Sequence, residues 1–291
     1  IDSSSKALMK RLMELSKQAC ESEEERTLLI VEEGLTHLFT SLGGVGSVLH
    51  YCFSAFVGLF YDPASPCSSI EGRSVPATIA TIFWDGLLSS DEIPVDNLME
   101  IEKCLAADEN GVSRSSFVAD CLVALGLLHS TSCDFSDRNK ITGYTVAHDV
   151  LVKAALKLQN LGAETSVMTH DGIDEGGSMA RKQPWSMTLV QGYQEYLSGI
   201  GSRRDRWSKD QAYQEETQFI MRHIIRHMFL GKLGDKGLEL LTSESFIQNR
   251  LKRLGLLEGT AQHIDDTERL IQTFKERGEI LKAIKHYQEA L

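Results

Sequence analysis

The sequence predicts a mainly α-helical protein that contains one short β-hairpin. Apolar residues recur at helical spacing along most of the chain. Two β-prone runs, at 127–133 and 141–147, are separated by a polar, turn-rich segment, which is typical of a hairpin. Residues 160–183 are rich in Gly, Ser, Thr and Asp and show no periodicity, which indicates a long loop or linker.

Five helices are predicted before the hairpin. Apolar stripes define the first two, over residues 28–42 and 49–60. A serine and a proline at 74–76 mark the start of the third helix, and Pro94 opens the fourth. The fifth is predicted over residues 116–128. Each of them carries an apolar stripe, so we expect each to bury one face.

A further helix is predicted directly after the hairpin, starting at His148-Asp149-Val150. Three or more helices followed by a short hairpin are the order of elements in a winged-helix domain. We therefore predict an N-terminal helical segment over residues 1–33 and a winged-helix-like domain over residues 34–160. A loop or linker over residues 161–184 would follow.

The rest of the chain, residues 185–291, is predicted to form a helical domain. Helices are expected at 185–200 and 213–230, with a charged connection at 203–206. The short connections favour antiparallel helical hairpins. Two further apolar stripes contain Ile247, Leu251 and Leu254, and then Leu270, Ile271, Phe274, Ile280, Ile284 and Tyr287.

Composition narrows the class of protein. The 291 residues carry a formal net charge of -11 without a basic stripe, which argues against nucleic-acid binding. The six cysteines form no CxxC pair, which favours a reducing compartment. Without a signal peptide or an apolar run of about eighteen residues, we expect a cytoplasmic protein that does not span a membrane. Because the chain starts at Ile1 and ends within a helical pattern, we expect it to be part of a longer protein.

Three segments occur in an informative order along the chain. The first runs over residues 49–60 and continues through 75–84, the second is 144–150, and the third runs over 218–256. In this order they resemble the regulatory half of NB-ARC proteins, the STAND class of signalling ATPases that includes plant disease-resistance receptors and the apoptotic protease-activating factor. They are similar to the family's winged-helix opening, to its Met-His-Asp signature and to the helical domain that follows.

The resemblance implies that His148 senses a nucleotide. In the family, the histidine of the signature donates to the β-phosphate of ADP and holds the closed state, while Asp149 would orient the local backbone. The first residue of the signature differs from the family pattern, because Ala147 stands here in place of Met. The residues are also consistent with nucleotide sensing on physical grounds, because an imidazole beside the free N–H groups of a helix N-terminus can bind an anion. They equally fit a simple helix cap, so both interpretations stay open.

The resemblance also implies a regulatory fragment rather than an enzyme. ADP or ATP would bind between this chain and a nucleotide-binding domain that the chain lacks, and no metal is expected from this chain. The expected partners are that domain, downstream sensor repeats and other proteins, with an oligomer on activation, but neither nucleic acid nor membrane. One alternative is a scaffold that only holds protein partners. Another is a DNA-binding winged helix, although the predicted helix at 116–128 offers few side chains for bases or phosphates.

Four other motifs resemble functional sites, and an interpretation without function is favoured for each of them. Residues 42–47 have the glycines of a phosphate-binding loop but not its lysine, so we predict a turn between helices. His223 and His227 lie one helical turn apart without the glutamate of a zinc protease, so we expect core or surface residues. Residues 168–171 contain a similar Met, His and Asp, but they lie in the Gly-rich loop with no helix after them, so we do not interpret them as the signature. The acidic run 21–25 is interpreted as a solvated helix end or turn.

Overall fold

The computed structural model describes residues 3–17, 22–61, 74–89, 93–106, 112–132, 141–165, 193, 211–230 and 233–276. The chain divides into two compact units, residues 1–179 and 180–291. Within the described ranges lie eleven helices and one three-stranded antiparallel sheet. The prediction of a mainly helical chain with a small β-structure is therefore confirmed.

Seven of these helices belong to the first unit. They are α1 (Ser3–Lys17), α2 (Glu23–Ser41), α3 (Gly43–Phe60), α4 (Ala77–Leu88), α5 (Val95–Ala106), α6 (Arg114–Ala124) and α7 (Asp149–Thr165). The boundary predicted between residues 33 and 34 falls inside α2, and α7 continues into the predicted linker at 161–184. The remainder of that linker lies outside the described residues.

The acidic run at the start of α2 is a helix N-terminus, as predicted. The hydroxyl of Ser22 accepts a hydrogen bond from the backbone N–H of Glu25 at 3.1 Å. The three glutamates of the first turn interact favourably with the positive end of the helix dipole. Solvated carboxylates at this position therefore help to define where α2 begins.

The sheet contains strands β1 (Val75–Pro76), β2 (Leu128–Ser132) and β3 (Ile141–Val146) in the order β1-β3-β2. Strands β2 and β3 form the predicted hairpin, whose turn lies outside the described residues. Strand β1 is not predicted by the sequence, because a serine and a proline at 74–76 indicate a helix start. The helix does begin at Ala77, but the two residues before it also pair with β3.

The predicted helix at 116–128 is wrong at both ends. Helix α6 begins at Arg114, where the hydroxyl of Ser113 accepts a hydrogen bond from a backbone N–H in the first turn, and it ends at Ala124. Gly126 takes a φ of +71°, which terminates the helix in a conformation that a side chain disfavours. Leu128 consequently lies in β2 and not on a helix face.

Helix α3 forms the centre of the first unit. Phe53 and Phe56 are fully buried, and the ring of Phe56 stacks on Trp84 with 5.3 Å between centroids. At 18 residues, α3 is the one helix in the described part of the chain that is long and apolar enough to cross a membrane. The sequence-based expectation that no run reaches this length is therefore wrong. Most residues of α3 are buried inside the unit, and this burial accounts for its composition.

Four helices are described in the second unit, namely α8 (Gln211–Leu230), α9 (Gly234–Thr242), α10 (Glu244–Leu254) and α11 (Leu256–Glu276). Helix α8 matches the prediction at 213–230, whereas α9 is not predicted. Helix α11 begins at Leu256, well before the stripe that starts at Leu270. The predictions for 185–200 and 203–206 lie outside the described residues, apart from Tyr193, as do the stripe residues beyond 276.

The core of the second unit contains a buried ion pair. Arg250 is fully buried on α10, and its Nη2 lies 2.7 Å from Oδ2 of Asp266 on α11. Its Nε donates to the carbonyl oxygen of Met221 on α8 at 3.0 Å, and its guanidinium lies over the ring of Phe246. One side chain thus connects three helices of the unit.

Candidate functional site

The residue that the sequence singles out, His148, follows the central strand β3 directly and precedes α7. The backbone N–H of Ala147 donates to the carbonyl oxygen of Leu127 at 3.0 Å, on the side of β2. The N–H of Val146 donates to Oη of Tyr61 at 2.9 Å. Two consecutive residues, Val146 and Ala147, therefore fix the end of β3 by hydrogen bonds on its two opposite edges.

His148 caps α7 with both its backbone and its side chain. Its carbonyl oxygen accepts the N–H of Leu151 at 3.0 Å, and its Nδ1 accepts the N–H of Val150 at 3.2 Å. A ring nitrogen that accepts a hydrogen bond is unprotonated, so the neutral imidazole carries its proton on Nε2. Because the side chain is exposed, the ring presents an N–H donor at the surface beside a helix N-terminus.

Asp149 is the first residue of α7 and is exposed. Its carboxylate favours the helix there because it interacts with the positive end of the dipole. One turn further along, Lys153 forms an ion pair with Glu24 from the first turn of α2. The hydrogen bond and the charge of Glu24 raise the pKa of Lys153, and Asp149 adds to this attraction. Charged side chains of both signs therefore surround the turn at His148.

The glycine-rich motif at 42–47 is a packing feature. The turn consists of Leu42, and Gly43, with a φ of +62°, already begins α3, so the turn predicted over residues 42–47 is wrong beyond Leu42. The N–H of Val45 donates to Oε2 of Glu100 at 3.2 Å. A Cβ placed at Gly46 would collide with the carbonyl oxygen of Phe39. A carboxylate thus already caps this helix, and the glycines allow close approach of neighbouring elements.

The paired histidines of α8 contribute to packing. The rings of His223 and His227 are stacked with centroids 5.8 Å apart, and His227 is fully buried. The Nδ1 of His227 lies 3.1 Å from Oη of Tyr193, and burial raises the pKa of that phenol. Within the described residues, no group of three or more His, Cys, Asp or Glu side chains could hold a metal ion.

The sequence analysis missed Tyr61, which is the C-cap residue of α3 and is buried. It lies 85 residues before Val146, and no spacing rule connects the two. The second Met-His-Asp spelling, at 168–171, lies outside the described residues. Comparisons with protein-family models, with curated proteins and with solved structures gave no match to this chain.

Proposed function

We propose that this chain is the regulatory part of an NB-ARC-like signalling ATPase and that His148 senses the β-phosphate of ADP. The proposal is carried by one observation, the exposed Nε2–H donor that results when Nδ1 of His148 accepts the N–H of Val150. The nucleotide would bind between this turn and a nucleotide-binding domain outside the chain. On this proposal, the helices α4 to α6 and the hairpin β2–β3 form a winged helix, with the hairpin as its wing.

The chemistry of the turn suits a phosphate. A phosphate oxygen accepts hydrogen bonds, and the N-terminus of α7 contributes a partial positive charge in addition to the imidazole donor. A phosphate that accepts from Nε2–H leaves the bond between Val150 and Nδ1 intact, so capping and sensing are compatible. Loss of the β-phosphate contact in a second nucleotide state would change the free energy of the closed form, which is what a switch requires.

Helix α7 provides a route from the turn into the first unit. Ala154 and Ala155 of this helix are buried, and Lys157 lies 2.9 Å from Glu32 on α2. A rigid helix transmits a displacement at its first residue along its whole length. Movement of the turn at His148 would therefore change the contact between α7 and α2.

The proposal is tested on the parent protein with its upstream region. Bound nucleotide is released by denaturation and quantified by chromatography for the wild type, for His148→Ala and for His129→Ala. His129 is an exposed histidine on β2 and serves as the matched control. We expect ADP in the wild type and the control, and about tenfold faster ADP release in His148→Ala, because a hydrogen bond to a charged group is lost.

Two outcomes would contradict the proposal. ADP retention in His148→Ala equal to that of the wild type would show that the histidine is only a helix cap. Absence of nucleotide from all three proteins would favour a scaffold that holds protein partners. The DNA-binding alternative has little support, because Arg114 at the start of α6 already forms an ion pair with Glu102.

A further inference from the structure

The N–H of Val146 is directed away from the hairpin partner of β3. In an antiparallel pair, successive residues direct their N–H groups to opposite edges of the strand. Ala147 donates toward β2, so Val146 donates toward the β1 side. Among the described residues, strand β1 pairs with Tyr144 and Gly143 and not with Val146. This N–H therefore needs an acceptor from another element.

Tyr61 supplies that acceptor. Its Oη lies 2.9 Å from the N–H of Val146, and its side chain is buried. Its own backbone N–H donates to the carbonyl oxygen of Val57 at the end of α3, and its ring lies 6.3 Å from that of Phe56. The hydroxyl is thus fixed to the most buried helix of the unit. It provides the N–H of Val146 with an acceptor on the β1 side of β3.

We propose that Tyr61 is a positioning residue for His148. Its hydroxyl fixes the end of β3, so that the turn of Ala147 and His148 places Nδ1 where the N–H of Val150 can donate to it. The proton of the neutral imidazole is thereby held on Nε2. The consequence for ADP rests on the proposed function, whereas the control of the tautomer does not.

The tautomer can be measured directly in the full 291-residue chain. With ¹⁵N-labelled histidine, a long-range ¹H–¹⁵N correlation distinguishes an unprotonated ring nitrogen from a protonated one. In the wild type we expect widely separated shifts for Nδ1 and Nε2 of His148. In Tyr61→Phe, we expect the two shifts to converge because both tautomers are populated. Tyr51→Phe removes a hydroxyl from α3 itself, is the matched control and should preserve the wild-type shifts.

A second measurement on the wild type does not depend on any variant. If the hydroxyl of Tyr61 accepts the N–H of Val146, this amide exchanges slowly with solvent, as the amides inside β3 do. Exchange of Val146 as fast as that of an unpaired strand end would overturn the proposal. So would unchanged His148 shifts in a folded Tyr61→Phe variant.

Nucleotide release from the parent protein separates the two proposals. Faster ADP release in both Tyr61→Phe and His148→Ala supports both. Faster release in His148→Ala alone overturns the positioning role and leaves the proposed function standing. Converged His148 shifts in Tyr61→Phe, with ADP retained in both variants, support the positioning role and remove the proposed function.

Discussion

The two units of this chain fill their cores with different chemistry. In the first unit, the largest buried side chains are aromatic and aliphatic, such as Phe53, Phe56 and Trp84. In the second, Arg250, Asp266 and His227 are each at most 1% exposed. An apolar core is stabilised by area removed from water, whereas a polar core depends on correct pairing of every buried group. The second unit should therefore respond more to pH and less to the size of single side chains.

The ion pair between Arg250 and Asp266 shows the desolvation penalty that charged groups carry in such a core. Burial lowers the pKa of Arg250, against the attraction of Asp266, and burial raises the pKa of Asp266 to about 6. Desolvation thus outweighs mutual attraction at both partners, as it often does for buried pairs. The pair fixes the arrangement of α8, α10 and α11 more than it adds to their free energy of unfolding.

The largest expected effect tests the apolar side of the comparison. Replacing Phe56 by Ala removes a fully buried ring that contacts Phe60, Phe83 and Trp84. We expect a loss of about 4 kcal/mol in the free energy of unfolding of the first unit, from lost transfer energy and a cavity. Hydrogen exchange of the α3 amides measures it.

Val95→Ala is the control for this substitution, because Val95 is 70% exposed. We expect the free energy of unfolding to stay within about 0.5 kcal/mol of the wild type in that variant. Equal effects of Phe56→Ala and Val95→Ala would show that the aromatic cluster does not determine the stability of the first unit.

The next effect concerns pH and the second unit. The folded state holds the proton of Asp266 more tightly than the unfolded state, because its pKa is raised from 3.8 to about 6. The stability that this group contributes is therefore fully present below pH 3.8 and is lost as the pH rises through 6. In Asp266→Asn this dependence disappears. The free energy of unfolding of the variant relative to the wild type should rise by about 2 kcal/mol between pH 4 and pH 7.

Amide exchange of α10 and α11 across this range measures the difference. Asp265→Asn changes the neighbouring carboxylate, which is half-buried and paired with Arg269, and it is the matched control. A difference between Asp266→Asn and the wild type that stays constant with pH would contradict the assigned role of Asp266.

The smallest effect compares two ion pairs between α2 and α7. Glu32 is 9% exposed and lies 2.9 Å from Lys157, whereas Glu24 and its partner Lys153 are both exposed. We expect Glu32→Gln to lower the free energy of unfolding by about 1 kcal/mol, since a partly desolvated charge pair is lost. Glu24→Gln should leave the thermal midpoint unchanged, because solvent screens exposed pairs. The reverse order in a thermal melt would show that burial does not determine the strength of these pairs.

The sequence predicts most elements whose buried face is apolar, although the short helix α9 is missed. Helix α8 carries a continuous apolar stripe and is predicted nearly to its ends, whereas α3 is predicted at its C-terminal end but begins six residues before the predicted start at Leu49. Helix α11 is missed over its first half, because the residues that face the core there include Gly259 and Asp266. Strand β1 is missed since two residues show no alternation. Apolar periodicity therefore cannot find an element that is held by a buried charge or by a short pairing.

Of the two residues of the candidate site, one is predicted from the sequence and the other is not. His148 is predicted from the resemblance of residues 144–150 to the Met-His-Asp signature and from its position between a hairpin pattern and a helix pattern, all of which are local. Tyr61 is not found, because its contact with Val146 depends on how α3 packs against the sheet. No spacing in the sequence encodes such a contact. The residue proposed to sense the nucleotide is predicted from the sequence, whereas the residue proposed to position it is found only from the fold.

Because Cys52 is buried in α3, the rate at which its thiol is modified can report opening of the core of the first unit. Its thiol has no exposed surface, and burial raises its pKa far above the usual range, so a maleimide cannot reach a reactive thiolate there. Cys104 on α5 is exposed and should react at once. The interval between the modification of Cys104 and that of Cys52, read by mass spectrometry of their peptides, therefore reports how often the core around α3 opens to solvent.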